Sequence, residues 1–95
     1  MKKSKEVEVS ENIEILVQGG YIPEKISIPY KKSTKITFLR KDKSPCFEEV
    51  NLADFKIKKY LPVGETVTIE ITPQKKGEFT YSCGMNMFHG TIVVR

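Results

Sequence analysis

The stretch that decides the fold is GEFTYSCGMNMFHGTIVV, Gly77 to Val94. In Glu78-Phe79-Thr80-Tyr81-Ser82-Cys83 every second residue is apolar. Phe79, Tyr81 and Cys83 share one face, as in a strand with one side buried. Gly84 to Gly90 breaks the alternation and reads as a loop carrying Met85, Met87 and His89. Thr91-Ile92-Val93-Val94 resumes it as the strand that follows.

The same period of two recurs upstream. Thr66-Val67-Thr68-Ile69-Glu70-Ile71 is the cleanest run, set between Pro62-Val63-Gly64 and a turn from Pro73 to Gly77. Ile36 and Phe38 alternate with Lys35, Thr37 and Leu39. Ile26 and Ile28 flank Ser27, and Ile13, Ile15 and Val17 alternate with Glu14 and Leu16 before Gln18-Gly19-Gly20. Segment 41–61 is less regular. Lys41-Asp42-Lys43-Ser44-Pro45 is a turn signal and Cys46 follows it. Val50, Leu52, Phe55, Ile57 and Tyr60 fit short strands or one helical turn, the latter best placed at Asn51-Leu52-Ala53-Asp54-Phe55. About seven strands with turn signals every ~8–12 residues predict an all-β, antiparallel Greek-key sandwich or barrel. Composition agrees: β-branched and aromatic residues abound, and Ala53 is the sole alanine.

A chain of 95 residues makes one domain. Residues 1–11 are charged and expected to be flexible, and 12–95 carry the sandwich. No window reaches the ~18–20 apolar residues of a membrane span, and no apolar signal-peptide core is visible. A basic Lys2-Lys3-Ser4-Lys5 stretch would suit the cytoplasmic flank of an upstream anchor. The net charge is +4. Lysines come in pairs (Lys2-Lys3, Lys31-Lys32, Lys58-Lys59, Lys75-Lys76) but are spread along the chain among acids such as Glu48, Glu49, Glu70 and Glu78. That dispersal argues against nucleic acid as a partner.

The chain holds 2 cysteines and 3 methionines. With Met1 set aside, three of the remaining sulfurs lie in Cys83-Gly84-Met85-Asn86-Met87. The fourth, Cys46, follows a proline turn in a distant loop. Thiolate and thioether donors select Cu(I), whereas carboxylates and water select Mg²⁺ or Ca²⁺. Positions 83, 85 and 87 of an extended loop turn toward one point, and Gly84 lets the loop curl. The set accommodates one Cu(I) ion or a thiolate-bridged pair. The competing reading of the cysteines is a Cys46–Cys83 disulfide or two inert buried thiols; for the methionines it is core filling. A Cys-x-Met-x-Met run in a loop favours a metal site. His89, the lone histidine, is expected beside the ligands, facing solvent, or as an extra ligand. No acid–base pair or nucleophile triad is visible, so no catalysis is expected.

Gly19-Gly20-Tyr21-Ile22-Pro23, Leu61-Pro62-Val63-Gly64, Gly77 to Cys83 and Gly90 to Val94 together resemble the cupredoxins, over most of residues 12–95. The resemblance implies a cupredoxin-like Greek-key sandwich of about seven to eight mostly antiparallel strands. It also implies metal ligands in the loop before the last strand and one from a distant loop. A blue-copper site uses two His, one Cys and a weak axial Met. Here Cys46 stands at the distant-loop His position, Met85 at the loop His and Met87 at the axial Met, with Cys83 the usual ligand. Loss of both imidazoles argues against an electron-transfer cupredoxin. The altered set resembles cupredoxin-fold Cu(I) domains of Gram-positive bacteria: CupA-type copper chaperones and the N-terminal domains of copper-exporting P-type ATPases. That resemblance implies a binuclear Cu(I) site bridged by both thiolates in a monomer tethered at the cytoplasmic face of the cell membrane. It implies transfer of copper to a copper-exporting P-type ATPase in copper resistance, and does not separate chaperone from exporter domain.

Overall fold

The computed structural model describes residues 12–95. The charged segment 1–11 lies outside the described residues. The described residues form nine strands: β1 Asn12–Val17, β2 Tyr21–Ile22, β3 Lys25–Ile28, β4 Thr34–Arg40, β5 Glu49–Leu52, β6 Ile57–Tyr60, β7 Thr66–Ile71, β8 Gly77–Cys83 and β9 His89–Val94. One sheet has the order β2-β1-β4-β7 and the other β3-β9-β8-β5-β6. The irregular middle resolves into β5 and β6 with two 3₁₀ turns, Pro45–Glu48 and Ala53–Phe55, so short strands and a helical turn are both present. Pairing is mostly antiparallel, as expected, but β1 with β4 and β3 with β9 run parallel. Strand alternation shows which face is buried and not which direction a neighbour runs, so the parallel pairs left no mark in the sequence. The last strand begins at His89, two residues earlier than its apolar run, because Ser82 and Tyr81 pair with His89 and Gly90.

The core lies between the sheets and follows the period-two pattern. Ile15 and Val17 of β1, Ile36 and Phe38 of β4, and Ile69 and Ile71 of β7 are buried. So are Ile26 and Ile28 of β3, Tyr81 and Cys83 of β8, and Ile92 and Val94 of β9. Each such side chain contributes roughly 1.5–3 kcal/mol by leaving water. Tyr81 packs edge-on against Tyr21 and Phe38, with ring centroids 4.8 and 6.0 Å away. Its ring lies directly across Gly90, where any Cβ would overlap ring atoms. A cross-strand aromatic thus covers the one residue of β9 that has no side chain to pack.

The alternation of β4 also carries Arg40 inward, in phase with Ile36 and Phe38, and leaves it 3% exposed. Its guanidinium donates to three carbonyl oxygens: Asp42 at 2.8 Å, Leu61 at 2.7 Å and Ser44 at 2.9 Å. Hydrogen bonds to a charged group are worth about 1.5–3 kcal/mol each, so together they offset the several kcal/mol of taking a cation out of water. Asp42 continues the tie. Its carboxylate accepts from Gly19 N–H at 2.7 Å and Ser44 N–H at 2.9 Å. These two amides, with Arg40 nearby, hold its carboxyl below the ordinary 3.8.

Two outcomes follow. Gly90→Ala drives a methyl into a ring packed on all sides, and overpacking of this kind costs about 2 kcal/mol. The thermal midpoint should fall by roughly 10 °C; an unchanged midpoint would show that Tyr81 can move aside. Asp42 has its folded-state pKa depressed, so its tie is fully present above the ordinary carboxylate value and is lost as pH falls through the folded one. In an NMR titration the Gly19 and Ser44 amide protons should shift together with a midpoint below 3.8; a midpoint at or above that value contradicts the two amide bonds.

Candidate metal centre

The loops between strands gather at two opposite ends of the sandwich, and all four sequence-predicted sulfurs lie at one of them. Cys46 sits in the 3₁₀ turn Pro45–Glu48, where Pro45 occupies the first turn and Ser44 Oγ accepts from Cys46 N–H at 3.4 Å. Proline is preset for that position and a serine before it is a preferred cap. Arg40 and Asp42 hold the approach to this turn, and Leu61 N–H donates to Glu48 O at 2.7 Å on its far side. Cys83 ends β8, where Val50 of β5 is its cross-strand partner. Both cysteines are buried, at 3% and 2% exposure. Gly84 N–H donates to Cys46 O at 3.2 Å and ties the two elements directly.

The structure joins Cys46 and Cys83 as a disulfide, with Cα atoms 5.8 Å apart. This is the pairing that the sequence left open beside a metal site. The physical reason is that the turn and the strand end meet at the separation a disulfide requires. Reduced at the same backbone separation, two thiols would face one another at the end of the core. The backbone N–H of Met87 donates to Cys83 Sγ at 3.3 Å.

The loop that follows is a turn and not an extended run. Cys83 N–H donates to Phe88 O at 3.0 Å and Asn86 N–H donates to Cys83 O at 2.9 Å, which folds Gly84–Phe88 back on the strand end. The left-handed residue that makes the reversal is Asn86, at φ 59°, and not Gly84. A Cβ at Gly84 would meet Glu49 Cβ at 3.4 Å, an ordinary contact, so neither the turn nor the packing demands glycine there. Asparagine tolerates that conformation better than most side chains, a signal present in the sequence but not read.

Because the loop is a turn, positions 83, 85 and 87 do not share a face. Met85 and Met87 are 60% and 67% exposed. Met85 lines a cleft of about 230 Å³ with Pro45, Glu48, Glu49 and Gly84. Met87 lines another, of about 390 Å³, with Gly20, Tyr21, Glu24, Phe88 and His89. Two buried sulfurs are therefore fixed by the fold, and two exposed thioethers flank them. Between the clefts Phe88 lies over Phe47, ring centroids 5.0 Å apart, and anchors the turn to the core. His89 is exposed and its Nε2 lies 3.0 Å from Asn86 Oδ1, within the loop. Among the described residues no three His, Cys, Asp or Glu side chains converge as a metal site, so any metal held here rests on sulfur. Phe88, Ser44 and Arg40 are the functional residues that sequence reasoning missed. Arg40 was detectable from its phase in β4.

The cupredoxin-like domain model matches residues 1–94. No curated protein matches the chain. A copper-binding protein solved in its apo form by NMR is 40% identical, with 97% of this chain and 93% of that one covered and a TM-score of 0.84. The metal-binding domain of the Streptococcus pneumoniae D39 Cu(I)-exporting P-type ATPase CopA, solved with Cu(I), is 33% identical over 97% of this chain and 91% of that one, TM-score 0.87. Reduced auracyanin from Roseiflexus castenholzii, 16% identical over 92% and 98% of the two chains at TM-score 0.73, shares the fold. The expected sandwich is thus the one observed, and the chain belongs to the cupredoxin-like domain family.

Proposed function

We propose that the reduced protein is a Cu(I)-binding chaperone domain, with Cys46 and Cys83 as the principal ligands and Met85 and Met87 completing the set. The observation that carries this reading is the convergence of the two cysteine sulfurs at the end of the core, beneath a loop that carries both methionines. The donor chemistry fits: thiolate and thioether suit Cu(I), and the lone histidine is hydrogen-bonded within its own loop. Support for copper as cargo comes from the apo copper-binding protein at 40% identity and the Cu(I)-bound exporter domain at 33%.

The residues divide the work. Cys46 and Cys83 lose their protons on metal capture, so affinity rises with pH. The exposed thioethers hold more weakly and are open to an incoming thiolate of an acceptor. In our reading two ions share the bridging thiolates, and the methionines complete the shell of the more weakly held one. His89 orients the turn through Asn86. The domain works as a monomer without catalysis, at the cytoplasmic face of the membrane, and passes Cu(I) to a copper-exporting P-type ATPase in copper homeostasis and resistance. A second reading, the metal-binding domain of the exporter itself, is favoured by the likeness to the CopA domain.

Competition with a Cu(I) chelator tests the site. The reduced protein should bind copper, and the oxidised protein, with its sulfurs joined, should not. Cys46→Ser should weaken binding by roughly 100-fold or more, since even a quarter share of the ~10–16 kcal/mol of a four-ligand structural zinc site is that large and a thiolate holds more than an even share. Met85→Ile with Met87→Ile should lose the weaker ion and keep one. Equal binding by oxidised and reduced protein, or two ions of unchanged affinity in the methionine variant, contradicts the proposal. Added Cu(II) should give no stable intense visible band; such a band would favour electron transfer instead.

A further inference from the structure

The end of the sandwich opposite the sulfurs carries the other concentration of chemistry in the molecule. The lysines that look dispersed in sequence meet there. Lys31 N–H donates to Pro73 O at 2.9 Å, which binds the β3–β4 turn to the β7–β8 turn. The ammonium groups of Lys31 and Lys76 both lie over the Tyr30 ring, 5.4 and 5.3 Å from its centroid. Lys75 lines a cleft with Lys56, Asp54, Thr72, Gln74 and the Phe55–Phe79 pair. Lys32 follows Lys31 in the same turn. All five lysines are exposed. The acids at this end include Asp54, Glu70, whose carboxylate accepts from Ser33, and Glu78, which lies 3.9 Å from Lys25 Nζ. Lys31 and Lys56 also adopt left-handed backbone, φ 62° and 58°, at turn positions where glycine or asparagine would be less strained. At the opposite end Glu24, Glu48 and Glu49 line the clefts beside the methionines, with Lys41 and Lys43 in the loop that leads to Cys46.

We propose that this basic end docks on an anionic phospholipid surface through Lys31, Lys32, Lys56, Lys75 and Lys76. Charge decides the class of partner, because five clustered ammonium groups see a surface of negative headgroups within a Debye length of about 8 Å. Ring availability decides against nucleic acid. The Tyr30 face is engaged by the chain's own lysines, and Phe55 and Phe79 pack edge to face, ring centroids 5.5 Å apart, so no ring here offers a stacking platform for bases. Docking this way turns the sulfur loop and its acidic rim away from the bilayer and toward a soluble or membrane-protein acceptor. The inference does not rest on copper binding.

Flotation of the full chain with vesicles tests it. Wild type should bind phosphatidylglycerol vesicles at low salt, lose them as salt rises, and ignore phosphatidylcholine vesicles. A variant with Lys31, Lys32, Lys75 and Lys76 each changed to Gln should lose on the order of 600-fold in affinity, at about five-fold per lysine. A charge-matched control with Lys41, Lys43, Lys58 and Lys59 changed to Gln should lose far less. Lys32→Gln with Lys75→Gln leaves the Tyr30 contacts intact. This variant should lose roughly 25-fold, which keeps the test decisive if the larger variant is unstable. Failure of wild type to bind, equal losses in the patch and control variants, or tighter binding to duplex DNA than to the vesicles at the same salt would overturn the proposal.

Discussion

The end of the sandwich that bears the two cysteines is organised around one buried cation. Arg40 points inward at the end of β4 and gathers the carbonyls of Asp42, Ser44 and Leu61. Those carbonyls belong to the two segments that bracket Cys46. The loop before it is fixed at Ser44, and Leu61 closes back on Glu48 at the end of the same turn. Those bonds add to the direct ties between the 3₁₀ turn and the end of β8, the Gly84 N–H bond to Cys46 O and the packing of Phe47 against Phe88. A guanidinium suits the task. Its planar fork stays charged and donates in several directions at once, which a lysine in the same place would not reproduce.

From that fixed turn the rest of the site follows. Cys46 meets Cys83, Gly84 bonds to the Cys46 carbonyl, and Asn86 reverses the chain so that Phe88 can cap Phe47. Buried cysteine sulfurs beneath and exposed thioethers above are the arrangement behind the two grades of hold proposed for the site. The buried pair has little freedom to lose on binding a metal, whereas the methionines must be ordered at a cost in side-chain entropy. That difference underlies the proposed division between a tight ion and a transferable one. It also places the redox state of the cysteine pair upstream of all metal binding, since sulfurs joined to each other are not thiolates.

Much of this was legible in the residues. The period of two in Thr66–Ile71 and Glu78–Cys83 located strands because burial on one face imposes that period. The clustering of Cys83, Met85 and Met87 pointed to a candidate site because soft donors seldom gather in a loop for packing alone. Strand direction was not legible, since the parallel pairings of β1 with β4 and β3 with β9 depend on tertiary neighbours. The conformation of the sulfur loop was misjudged for a local reason: Asn86 adopts left-handed backbone, turning an expected extended run into a reversal. The lysine pairs show the same limit on a larger scale. Lys31-Lys32 and Lys75-Lys76 lie far apart in the chain, and only the packing of two turns around Tyr30 makes them one surface.

The most direct measurement is copper K-edge X-ray absorption on the reduced protein loaded with Cu(I). A sulfur-only first shell, with the edge shape of Cu(I) and no imidazole scattering, is the predicted result. Nitrogen scattering from His89, or an edge that reports Cu(II), would contradict a site built from Cys46, Cys83, Met85 and Met87.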